Sequence, residues 1–262
     1  MPLAARPLSR PARIGRSWLS ALAGAQPRGY ACSVRPTKAP TARAYQPAAG
    51  YGADVLIWIN GPFGGGKTQT AFELHRRLPH SVVCDPEEPG FGLHRMTPPH
   101  LRGDFQDQPA WRHAVHDVLD HVLAHEQVVI APMTIIEPQY FAETVGRLRE
   151  QHDVRHFALM ATRDTVLRRL RERGFGHVLG WVGGRDAPLR RESFAVSKID
   201  MCLERLSAPA FAEHIWTDAL SIKQVVEQVA ASAGVTLEPD TDNAARAYAR
   251  RLLVGAKHMR FL

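Results

Sequence analysis

The feature that most constrains this chain is the octapeptide Gly61-Pro62-Phe63-Gly64-Gly65-Gly66-Lys67-Thr68. It fits G-x-x-x-x-G-K-[ST], whose glycines let successive backbone N–H groups turn inward around phosphate oxygens. Its flanks are what the motif needs. Residues 55–60 (VLIWIN) are almost wholly apolar and β-prone, as a strand buried on both faces of a parallel sheet must be. Residues 68–78 carry apolar side chains at Ala71, Phe72, Leu74 and Leu78, which predicts a helix with one inward face. A strand, a glycine loop and a helix N-terminus in that order make an anion site. Gly61, Pro62, Phe63, Gly64, Gly65, Gly66, Lys67 and Thr68 are therefore expected to hold a nucleoside triphosphate. Lys67 would meet the β- and γ-phosphates, and the Thr68 hydroxyl would ligate Mg²⁺.

The rest of the chain continues the alternation. Residues 81–84, 127–132, 155–161 and 212–217 read as four further short strands. Helical patterns cover about 111–125, 138–151, 164–173, 192–206, 222–231 and 240–262. A Gly/Pro-rich turn at 89–92 and a short helix over 93–101, interrupted by Pro98-Pro99, follow the second strand. This order predicts an α/β fold of the P-loop NTPase class, nucleoside or nucleotide kinase type, with a five-stranded parallel sheet flanked by helices. The narrower spacing of Gly61, Gly64, Gly66, Lys67 and Thr68 is frequent among small-molecule and nucleotide kinases.

Net charge bears on partners only once it is located. The formal +7 looks like a nucleic-acid signal. Residues 1–53, however, hold eight Arg or Lys and no acid; taking those eight from the 33 of the whole chain leaves 25 against 26 acids. The folded part is neutral, which excludes a nucleic-acid reading on charge. Residues 1–53 have the composition of a disordered extension; a transit peptide and an upstream start codon are the alternatives. Residues 54–239 are expected to form the kinase-like domain, with a lid over about 168–192, and 240–262 a C-terminal amphipathic helix. That helix either packs on the core or makes weak peripheral contact with an acidic membrane. Cys32, Cys84 and Cys202 follow no disulfide or metal spacing, and no apolar run reaches a membrane span, so a cytoplasmic location is expected. His113, Asp117, His121 and His125 fall four apart, but opposite the apolar stripe of their helix, and read as a solvated face.

Ligands of open parallel sheets bind beyond the carboxyl ends of the strands. Asp85 and Glu87 stand just past the second strand, where an acceptor hydroxyl would meet the γ-phosphate; alternatively Asp85 caps the turn. The third strand ends in Met133-Thr134 and has no acid at its tip, leaving the metal to Thr68, water and Asp85. Arg168, Arg169, Arg171 and Arg173 crowd the base of a glycine-rich stretch, as lid arginines would, or complement the helix dipole. Asp218 follows the last strand, where such folds border the nucleotide base.

The blocks WINGPFGGGKTQTAFELHRRL, DPE with its following GF, DFQ with the P and WR beyond it, APMTI, HFALMA, LRRLRERG and LSAPAFAEHIWTDALSI closely resemble bacterial tunicamycin resistance proteins. The resemblance spans about residues 55–260. It implies an ATP-binding, nucleoside-kinase-like P-loop protein that confers resistance to a nucleoside antibiotic. The wider fold is similar to chloramphenicol phosphotransferases, which phosphorylate a drug hydroxyl. On that reading ATP and Mg²⁺ serve transfer to a small nucleoside-like acceptor. Asp85 is the expected base, and Arg169 and Arg173 close over developing charge. Glu87, Phe105, Gln106, Trp111, Arg112 and Thr134 line the substrate side, with Trp111 either a stacking face or a core residue. ATP-dependent sequestration without chemistry, and a housekeeping nucleotide or metabolite kinase, are the rival readings.

Overall fold

Five parallel strands run in the order β2-β3-β1-β4-β5, with β1 (Val55–Asn60) at the centre. The others are β2 (Ser81–Val83), β3 (Val128–Pro132), β4 (Asp153–Met160) and β5 (His214–Trp216). The computed structural model describes residues 54–173, 184, 186–211 and 213–257. The expected extension over 1–53, the glycine-rich stretch 174–183 with residue 185, and residues 258–262 of the terminal helix lie outside them.

β1 pairs on both edges, Trp58 standing opposite Ala131 on one side and His156 on the other. All six of its residues are buried, which is why the strand is apolar without alternation. Its side chains still divide by the two-residue pleat. Leu56 and Trp58 face a core completed by α3 (Pro109–Leu123), α4 (Pro138–Phe141) and α7 (Ser193–Leu206). Val55, Ile57 and Ile59 face α1 (Lys67–Arg77) and α8 (Ile222–Ala233). The sheet is thus covered on both sides, and each large side chain so buried contributes roughly 1.5–3 kcal/mol. A third cluster, with Val166 and Leu170 of α5 (Arg163–Glu172) and Ala195 and Ile199 of α7, joins the two helices beside the expected lid.

One expected turn is a helix. Residues 89–92 belong to α2 (Glu87–Met96), not to a Gly/Pro loop. Pro89 sits in the first turn, where its missing N–H is no loss. Gly90 is there because the Phe105 ring lies against the backbone: a Cβ would stand 2.6 Å from two of its ring atoms. The helix ends before Pro98-Pro99, and 99–101 is only a single 3₁₀ turn. Beyond α4 the predicted helix continues over Ala142–Gly146 as a π turn, and a short α6 (Ala187–Arg191) precedes α7.

The terminal helix, α9 (Ala244–Lys257), lies against α1. Asp240 and Asp242 at its approach accept Arg76, Lys223 and Arg250, and Gln69 Nε2 donates to the Arg251 carbonyl at 3.0 Å. Leu253 is 71% exposed on the outer side. Among the described residues no helix is long and apolar enough to cross a membrane.

Candidate active site

The phosphate loop leaves β1 through Asn60, which the sequence analysis did not single out. Its amide donates to the Ile135 carbonyl at 2.8 Å and accepts from Gly61 N at 2.8 Å and Ile135 N at 3.1 Å. A polar residue at the tip of a wholly buried strand, directly before the loop, was the available signal. Gly61 has φ 149°, and a Cβ there would meet the Leu159 carbonyl at 2.9 Å. Gly66, at φ 95°, turns the chain into α1 from the left-handed region that side chains resist. The N-terminus of α1 has no acidic residue in its first turn and no side-chain cap, which leaves its backbone donors to a ligand.

Lys67 is buried, and its ammonium donates to the Pro62 carbonyl at 3.1 Å and stands 5.7 Å from the Phe63 ring. Burial pulls its pKa down from 10.5 to about 8, while Glu87 and Asp85 pull it up and Arg173 pushes it down. The two acids expected beyond β2 thus lie in the field of the loop lysine, although they follow it by some twenty residues. Asp85 also does the bland job: its Oδ1 accepts from Glu87 N at 3.0 Å and starts α2.

Several of the expected substrate-side residues form one polar chain behind the loop. Arg112 pairs with Glu143 and donates to the Gln106 carbonyl at 2.6 Å. Gln106 Nε2 donates to the Thr134 carbonyl at 3.0 Å, and Thr134 Oγ1 donates to the Gly61 carbonyl at 2.8 Å. Trp111 is wholly buried and donates its indole N–H to the Pro86 carbonyl at 2.8 Å. Of its two expected roles the structure shows core packing, and its ring presents no face to solvent. Phe105 is half-buried against Phe91, His94 and Trp111. Arg112, Gln106 and Thr134 are braces here, each with its polar group taken by protein.

The expected lid arginines divide. Arg169 donates to Thr217 Oγ1 at 2.9 Å and to the Thr217 carbonyl at 2.7 Å, so it holds the tip of β5. Arg173 pairs with Glu192 at 3.4 Å and acts on Lys67 through its charge. Asp218 accepts from Thr162 N at 3.0 Å and Thr162 Oγ1 at 2.6 Å; burial opposes its charge, but these bonds hold its carboxyl below the usual range. Among the described residues no group of three or more His, Cys, Asp or Glu could hold a metal. The histidines of α3 make no metal cluster. The oxygens available to a cation bridged by nucleotide phosphates are the half-exposed Thr68 hydroxyl and Asp85. Hard oxygen donors, few in number, suit Mg²⁺.

The family model described as an AAA domain matches residues 56–177. No curated protein matches the chain. Among solved structures it is similar to the tunicamycin resistance protein of Deinococcus radiodurans, with 33% identity over 71% of this chain and 100% of that one, at a TM-score of 0.57. It is more distantly similar to shikimate kinase from Bacteroides thetaiotaomicron (19% identity, 69% and 99% covered, TM-score 0.44). APS kinase from Mycobacterium tuberculosis gives 13% identity, 68% and 95% covered, and a TM-score of 0.44. On its likeness to the first of these, in sequence and over the whole of that chain, and on its kinase-like P-loop sheet, the protein belongs to the tunicamycin resistance protein family.

Proposed function

We propose that the protein transfers the γ-phosphoryl group of ATP, with Mg²⁺, to a hydroxyl of a nucleoside antibiotic such as tunicamycin. The observation that supports this most is the facing pair: a buried Lys67 inside a donor-lined loop, with Asp85 and Glu87 beyond β2 in its field.

In the transfer, the loop amides and the N-terminus of α1 hold the phosphates, and Lys67 follows the charge of the transferring group. Asp85 accepts the proton of the acceptor hydroxyl as its oxygen bonds to phosphorus and the bond from phosphorus to the bridging β-phosphate oxygen breaks. ADP leaves with that oxygen. Glu87, one step along α2, orients the acceptor. Arg173, paired with Glu192 in the empty protein, answers charge at the lysine end once it is released. Thr68 and Asp85 would hold Mg²⁺, which would supply charge neutralisation during the transfer.

One observation favours sequestration instead: the tip of β3 carries Thr134, whose hydroxyl is spent on Gly61, where many P-loop enzymes place a metal-binding acid. Mass spectrometry of tunicamycin incubated with protein, ATP and Mg²⁺ separates the two. A product heavier by one phosphoryl group, absent with Lys67→Ala, is the expected result. Unmodified drug that binds more tightly with ATP would overturn the transfer and leave a sequestering protein.

A further inference from the structure

Helix α7 carries Phe194, Lys198 and Cys202 four residues apart, hence on one face. Two of them reach the phosphate loop. Phe194 meets Phe63 edge to face, with ring centroids 5.7 Å apart, and the buried Cys202 thiol lies in the field of both Lys67 and Lys198. Lys198, between them, holds its ammonium 5.8 Å from the Phe194 ring. An aromatic pair therefore joins two lysines: Lys67 stands over Phe63, and Lys198 over Phe194.

Lys198 also stands without a counter-ion. It is half-buried, yet pairs with no carboxylate among the described residues, and the undescribed segments contain no Asp or Glu. The nearby arginines are committed elsewhere: Arg169 to Thr217, Arg173 and Arg191 to Glu192. A half-buried ammonium held by a ring that itself packs on Phe63 of the phosphate loop, with no anion of its own, is suited to bind an anion.

We infer that Lys198 is a second lysine of the phosphate site and contacts the terminal phosphate of the bound nucleotide. The site then tells triphosphate from diphosphate through a residue on α7, outside the phosphate-loop motif. The inference rests on the nucleotide reading of Lys67 and extends it. It concerns a contact of Lys198 itself, in contrast to Phe63 and Phe194, which position the two lysines.

The test is calorimetric binding of ATP and ADP, each with Mg²⁺, to the full-length wild type and to Lys198→Met and Lys198→Arg. Methionine keeps the stem on the ring and removes the charge, so the fold should be unchanged by thermal melting. Lys198→Met should bind ATP about tenfold more weakly, the scale of one charge-assisted contact, with ADP affinity unchanged. Lys198→Arg should keep most of the preference for ATP. Equal loss for both nucleotides would make Lys198 a structural residue of α7, and no loss for either would make it a solvated lysine; both overturn the inference. Were Lys198→Met to melt early, Lys198→Gln takes its place and is read on the same ratio of ATP to ADP affinity, which a purely structural role would not change. Failure of the wild type to bind either nucleotide would instead refute the reading of Lys67, and the inference would fall with it.

Discussion

Replacing Lys67 by methionine should make the empty protein more stable while abolishing its use of ATP. The folded site lowers the lysine pKa from 10.5 to about 8, chiefly by burial. Holding that ammonium charged at neutral pH therefore costs about 3 kcal/mol relative to the unfolded chain. Bonding to the Pro62 carbonyl and attraction from Glu87 and Asp85 are already inside that balance. Methionine fills nearly the same volume without the charge, so Lys67→Met should gain about 1–3 kcal/mol at pH 7 in urea denaturation without nucleotide. The pH dependence carries the sign. Between pH 8 and 10.5 the unfolded chain still holds a proton that the folded chain has released, so wild-type stability rises with pH across that window. The methionine variant has no such proton, and its advantage should be full below pH 8, shrink above it and vanish beyond 10.5. ATP should reverse the order by raising the wild-type melting temperature and not the variant's. A variant less stable than wild type at pH 7, or a difference that does not change up to pH 10.5, would refute the claim that the loop stores the desolvation of its lysine for a phosphate to relieve.

Other residues give separable outcomes. Asp85→Asn should leave ATP affinity measured without Mg²⁺ within about twofold and cut turnover by roughly a hundredfold or more, the usual contribution of a general base; near-normal turnover would restrict Asp85 to starting α2. Thr134→Val keeps the shape and removes the donor to the Gly61 carbonyl, which should cost about 1–3 kcal/mol in chemical denaturation and weaken ATP binding along with it. Trp111→Phe removes the bond to the Pro86 carbonyl and part of a wholly buried ring. It should lower stability by roughly 1–4 kcal/mol, with substrate KM changed less than stability, since the indole has no exposed face.

Local features were legible, and long-range ones were not. β1, the phosphate loop and α1 read correctly because each signal lies within about twenty consecutive residues: an unbroken apolar run, a glycine spacing, a helical stripe. The start of α8 is local too: the Ser221 hydroxyl accepts from Gln224 N, and Ser221 N donates to Gln224 Oε1. α2 was misread because Gly90 looks like a turn residue, whereas the Phe105 ring that requires it is fifteen positions away and visible only in space. Arg112, Gln106 and Thr134 looked like ligand contacts because polar side chains near a site usually are; their true partners lie 31, 28 and 73 residues distant. Arg169 was expected at the phosphates, and its commitment to Thr217, 48 residues on, follows from the packing of α5 beside β5, which no composition discloses. Lys198 was passed over for a like reason: its meaning depends on Phe63, more than a hundred residues earlier.

Thr134 at the tip of β3 decides how the two halves of the site are joined. An acid there would bind metal and tie the strand to the nucleotide. A threonine donating to the Gly61 carbonyl ties the strand to the loop itself, so the loop is braced before any ligand arrives. The same strand end is held from the other side by Gln106, and Gln106 by Arg112, whose charge is answered by Glu143 beyond α4. Helices α2 and α3 are in turn joined by Trp111 on Pro86, the residue after Asp85. Two routes thus run from α3: one through Gln106 and Thr134 to the loop that cradles phosphate, the other through Trp111 to the carboxylate that would take the acceptor's proton. Phosphoryl transfer needs the acceptor oxygen within about 3–3.5 Å of the phosphorus and in line, and under the proposed function a common brace behind both partners would set that spacing without a metal-binding acid at the strand tip. Shortening Arg112 to leucine strikes that brace, together with the stacking of its guanidinium on Tyr140. It should lower kcat with little change in ATP affinity, because the Gly61 carbonyl keeps its threonine while Gln106 loses its anchor; equal losses in kcat and ATP affinity would show that the brace serves the loop alone.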